Sequence, residues 1–127
     1  MMGDYLQYAL EAAGRHGFQR IHLAEMWTKL VKAALAVPQT HVRNGALEVQ
    51  DAARLLGDLG LDAAETARLA QSNTARHIFE ELRAMGRDDL VLAVAKQAQK
   101  QAESWSGLAV SLYLVTQEEG VVVHVPH

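Results

Sequence analysis

The chain has no cysteine. That one absence excludes disulfide staples, thiolate metal sites and cysteine nucleophiles, and it suits a reducing compartment. No apolar run approaches the ~18 residues of a membrane span. Met1-Met-Gly-Asp-Tyr5 offers no basic stretch before an apolar segment, so no signal peptide is expected. A cytoplasmic location is the resulting expectation. There are only two prolines, Pro38 and Pro126. The first stops a helical pattern, and the second cannot donate a ladder bond, which places any strand ending there at an edge.

Catalytic and metal-binding signatures are also missing. Six histidines are present, yet none stands in a His-Glu-x-x-His or Glu-x-x-His pattern. His124 and His127 are three apart at the C-terminus, where alternation along a strand would part their side chains. His77 and Glu81 share helical spacing, which by itself describes a surface pair. No Gly-x-Ser-x-Gly elbow, Walker loop or Gly-x-Gly-x-x-Gly occurs. Gly57 and Gly60 enclose Asp58, which would repel a phosphate backbone. No metal, no cofactor and no catalytic residue is assigned, and the expectation is a non-enzymatic protein.

What remains is an ordinary soluble composition, half apolar and about a fifth charged, in a length that fits one domain. The net charge of −3 is unevenly spread. Arg15, Arg20, Lys29, Lys32 and Arg43 face a single acid, Glu25, across residues 15–43. Beyond Asn44 acids prevail. The basic stretch is a candidate surface for an acidic partner.

Helical periodicity runs through about residues 4–104 and predicts five to six helices. Asp4–Arg15 comes first, with Leu6, Leu10 and Ala13 on one side and Tyr5 beside them. Arg20 to Ala36 reads as the clearest amphipathic helix, with Ile21, Leu23, Met26, Trp27, Leu30 and Val31 in its stripe and Glu25, Lys29 and Lys32 opposite. Val37 to Gly45 reads as a loop with a turn at Asn44-Gly45. Leu47–Leu56 follows, and then a helix capped by Asp62, with Glu65 at the capping-box position. Ser72 or Asn73 is the expected cap of a helix reaching Met85. The last helix, Asp89 to about Ser104, has an inner face of Val91, Val94, Ala95, Ala98 and Ala102, small enough for close approach.

At Ser106 the period changes to two. Leu108–Val115 and Val121–Val125 predict a β-hairpin, with Gly120 in the left-handed position of its turn. The fold class is therefore α+β, a mostly α-helical bundle followed by a C-terminal β-hairpin over about 108–125, in a single domain of residues 1–127. A lone two-stranded hairpin is marginal in water. One face must cover helices, and the other, carrying Tyr113, Val115 and Val122, is expected to bind a protein partner or a second copy of the chain. Arg20, Lys29 and Lys32 are a secondary contact surface.

Two functions follow from this pattern. The first is a small regulatory or adaptor protein acting through protein–protein binding as a homodimer. The second is a helix-turn-helix DNA-binding regulator built on residues 62–86, offering Asn73, Thr74, Arg76, His77 and Arg83 to a groove. Against the second, the motif's register buries His77 rather than Ile78, and Glu80 and Glu81 would repel phosphate.

Overall fold

Residues Arg20–Glu25 carry two periods at once, and the fold uses the shorter one. The computed structural model describes the backbone of residues 2–35 and 45–127 and the side chains of residues 9–35 and 49–127. In chain order the elements are α1 (Met2–Arg15), β1 (Arg20–Glu25), α2 (Trp27–Leu35), α3 (Gly45–Asp58), α4 (Ala63–Leu69), α5 (Ala75–Ala84), α6 (Asp88–Ser106), β2 (Ala109–Thr116) and β3 (Gly120–Val125). The α+β class, with helices followed by a C-terminal hairpin, is what the structure shows.

The expected Arg20–Ala36 helix is corrected. Its first six residues form β1, and only Trp27–Leu35 is helical. β1 pairs parallel with β2, from Arg20 beside Ala109 to Glu25 beside Leu114, and β3 closes the other side antiparallel. The hairpin is thus part of a three-stranded sheet in the order β1-β2-β3. This supplies much of the support that two isolated strands lack. The reason is alternation: Ile21, Leu23 and Glu25 turn inward while Arg20, His22 and Ala24 stay exposed.

One face of the sheet lies on helices. Val110, Leu112 and Leu114 are fully buried. α6 packs under them and also touches α1, α2, α3 and α5. Its inner face, Leu90, Val91, Val94, Ala95, Ala98 and Ala102, is fully buried, as its spacing requires. The small residues serve close approach. A β-carbon added at Gly14 of α1 would collide with the carbonyl oxygen of Ser106.

Local chemistry sets most boundaries. Asp62 caps α4 by accepting from the Glu65 amide at 2.8 Å. α5 is capped by Thr74, which accepts from the His77 amide at 3.0 Å, rather than by Ser72 or Asn73. α6 opens at Asp88, and Gly107 ends it in the left-handed region. Gly120 likewise has a φ of 73° at the hairpin turn. The expected loop from Val37, with Pro38, lies outside the described residues up to Asn44, while Gly45 opens α3. The side chains of Tyr5, Leu6 and Leu47 also lie outside them.

Candidate functional site

The carboxyl ends of β1 and β2 point the same way, because the two strands are parallel. Chains leaving parallel strands at that end diverge and open a crevice, the usual ligand position in α/β sheets. Here a pocket of about 410 Å³ opens at that place. Met26, Trp27 and Thr28 enter it from the β1–α2 junction, and Val115 and Thr116 from the end of β2. α5 supplies the facing wall.

The floor is apolar and rigid. Trp27 and Phe79 pack with ring centroids 5.3 Å apart. The Trp27 indole donates to the Ala75 carbonyl at 2.9 Å, which ties the start of α2 to the start of α5. Both rings are buried, whereas Met26 is 43% exposed at the rim.

The rim is charged. From α5, Arg76 reaches Glu118 at 2.9 Å and Glu80 at 3.3 Å. Arg83 reaches Asp88 at 3.2 Å and Glu119 at 3.4 Å, with its guanidinium 5.6 Å from the Phe79 ring centre. The two arginines therefore clasp the tip of the β2–β3 turn. Thr116 Oγ1 steadies that tip by accepting from the Glu119 amide at 2.9 Å. The hydrogen bond from Arg76 holds the Glu118 carboxyl below its ordinary range. Reciprocally, Glu118 first and Glu80 after it raise Arg76.

Glu25 is the titratable group that sequence periodicity misplaced. Assigned to the polar side of a helix, it lies on the inner face of β1, one residue before the pocket. Burial raises its carboxyl above the ordinary range, and Lys29 draws it back only in part. The period-two alternation of Arg20–Glu25 was the available signal.

The other candidate residues separate. Tyr113 stands on the outer sheet face, stacked on His124 at 4.5 Å between centroids and hydrogen-bonded to His22 Nδ1 at 3.0 Å. Val122 does not join it. An irregularity after Leu114 pairs Val115 with Val121, leaving Val122 packed against the core and Val121 57% exposed. Val115 lines the pocket. Arg20 begins β1, while Lys29 and Lys32 follow on α2 beyond its other end. His127 contacts Glu103 at 3.2 Å, apart from His124. Among the described residues no three His, Cys, Asp or Glu are grouped to hold a metal ion. No helix among them is long and apolar enough to cross a membrane.

For the DNA-reading residues the geometry is adverse. α5 buries Ile78 completely, and His77 is half exposed beside Glu80 and Glu81. Arg76 and Arg83 are engaged by acids of the hairpin turn. Asn73 and Thr74 precede α5, with Thr74 used as its cap. Glu81 is bound by Arg68 at 2.7 Å, which lowers its carboxyl and makes it a poor base for His77.

Comparison with known proteins gives a consistent result. The family described as CbiD, C-terminal domain, matches residues 39–126. A cobalt-precorrin-5B C(1)-methyltransferase of Desulfotalea psychrophila is 55% identical over 122 residues, covering 96% of this chain and 34% of that protein. The protein of the same name from Nitratidesulfovibrio vulgaris is 30% identical over 98% of this chain and 30% of its own length. That from Geobacter metallireducens is 37% identical over 72% of this chain and 24% of its own. The chain thus spans about a third or less of these relatives. No solved structure matches it. These likenesses overturn both expected functions, the regulatory or adaptor protein and the helix-turn-helix regulator, since the relatives are named as enzymes. The family was illegible because no motif of short spacing marks it.

Proposed function

Because this chain belongs to the CbiD family, we propose that it serves in the methylation of cobalt-precorrin-5B at C(1), the reaction for which its relatives are named, as the portion corresponding to about a third of their length. The observation that carries this reading is the 55% identity sustained across 96% of the chain. Such likeness spans both the pocket-forming elements and the core beneath them.

The pocket is compatible with that chemistry. Methyl transfer between a bound donor and a bound acceptor asks chiefly for alignment and exclusion of water, and less for a protein nucleophile. A preformed apolar floor with a few oriented polar groups supplies both. The test is a chimera in which this chain replaces the matching segment of the Desulfotalea psychrophila protein. Retention of C(1) methylation of cobalt-precorrin-5B, followed by mass, is the expected result. A folded chimera without activity, beside an active parent, overturns the reading.

A further inference from the structure

We infer that the open edge of β1, with the outer face of the sheet beside it, is the docking surface for the rest of a CbiD-type enzyme, which adds a strand to β1 there. The inference rests on the reading of this chain as one portion of such an enzyme, and it names the surface that joins that portion to the remainder.

The two edges of the sheet are built differently. β3 is blunted, because an irregularity after Leu114 disturbs its pairing with β2 and Pro126 follows directly on its last residue. β1 carries neither device. Its register with β2 is unbroken from Arg20 to Glu25, and it contains no proline and no lysine. Among the described residues no strand pairs with its other side. A regular strand left open in this way offers a row of backbone donors and acceptors to another strand.

The direction of β1 sharpens the point. It runs parallel to β2, and parallel strands belong to sheets with both faces covered. Here helices cover one face. On the other, His22, Ala24 and His124 are exposed, and Phe18, two residues before β1, is 60% exposed. An antiparallel hairpin tolerates one wet face, so β2 and β3 alone would call for no cover. A parallel strand at the edge does.

The outer face is already ordered for contact. His22, Tyr113 and His124 form a row across the three strands, with the Tyr113 and His124 planes 4° apart and Tyr113 bonded to His22. Side chains held by one another have less freedom to lose when a partner covers them. Glu25 is the one acid in the three strands, and it turns inward. What covers this surface follows from length. The Desulfotalea psychrophila enzyme matches 96% of this chain with only 34% of its own length, so about two thirds of it must meet this portion somewhere. A second copy of the chain is the competing occupant.

The test compares the isolated 127-residue chain with the Desulfotalea psychrophila chimera, by hydrogen exchange and by carbethoxylation of histidines, both read by mass. Amides of Arg20–Glu25 not bonded to β2 should exchange about tenfold more slowly in the chimera. His22 and His124 should lose most of their reactivity there. Ala24→Lys puts a charge at an exposed position of the outer face. It should leave the melting temperature of the isolated chain nearly unchanged and lower that of the chimera by several degrees, whereas damage to the fold would lower both. Equal exchange and labelling in the two proteins, a chimera indifferent to Ala24→Lys, a chimera that does not fold, or an isolated chain that is dimeric by light scattering with β1 already protected each overturn the inference. An active chimera with an open β1 removes this inference alone, and an inactive chimera with β1 protected removes only the methylation reading.

Discussion

The Trp27 indole donates to the backbone carbonyl of Ala75 at 2.9 Å, joining the first residues of two helices separated by 48 positions. Both groups are buried, so neither has water as an alternative partner. Trp27→Phe keeps most of the apolar contact with Phe79 but leaves the Ala75 carbonyl without this donor. It should cost about 1–3 kcal/mol. Urea denaturation followed by far-ultraviolet circular dichroism measures it, and an unchanged midpoint would show that the bond does not anchor the pocket floor.

Gly14→Ala inverts an ordinary rule. Within a helix, alanine is favoured over glycine by about 1 kcal/mol. At this position the added methyl would meet the Ser106 carbonyl of α6. Overpacking of this kind costs about 1–3 kcal/mol, so net destabilisation is expected. A thermal melt that rises instead of falling would mean that α1 and α6 can separate freely.

Glu25→Gln tests the half-buried carboxyl. Its pKa in the fold lies above the ordinary 4.5, chiefly through burial. Between those two values the native chain holds more protons than the unfolded one, so stability falls as pH rises through that window. Above it the penalty stays constant. The substitution should therefore raise the melting temperature at neutral pH, and the advantage should vanish below about pH 4.5. An equal advantage at every pH would point to packing rather than charge.

Gln99 of α6 ties the helix to the sheet. Its side-chain amide donates to the Val110 carbonyl at 2.8 Å and to the Val125 and Pro126 carbonyls at 3.2 Å each. Gln99→Ala removes these donors together and should cost about 1–2 kcal/mol. Hydrogen exchange provides the sharper check. Amides of β3, an edge strand, should lose protection before those of α3, whereas uniform loss would assign the effect to global stability.

Those elements whose cause is local were legible in the residues. Asp62 caps its helix, Gly120 takes the left-handed turn, and the small inner face of α6 meets its neighbours. Each depends on residues within one or two turns of itself, so spacing and side-chain chemistry suffice. Val122 shows the limit within a hairpin, since one irregularity after Leu114 exchanges its place with Val121.

Composition and periodicity sufficed for a helical chain closing in a hairpin, without cysteine chemistry or a membrane-spanning helix among the described residues. Tertiary structure decided the rest. Leu23, Met26, Trp27 and Leu30 fit a helical stripe as well as Ile21 and Leu23 fit a strand. What selects the strand is pairing with β2, where His22 meets Ser111 and Tyr113 across some ninety residues of chain. Once β1 lies parallel to β2, their carboxyl ends coincide and the pocket forms there. No local pattern encodes that coincidence, because backbone groups find distant partners only when the whole chain has packed.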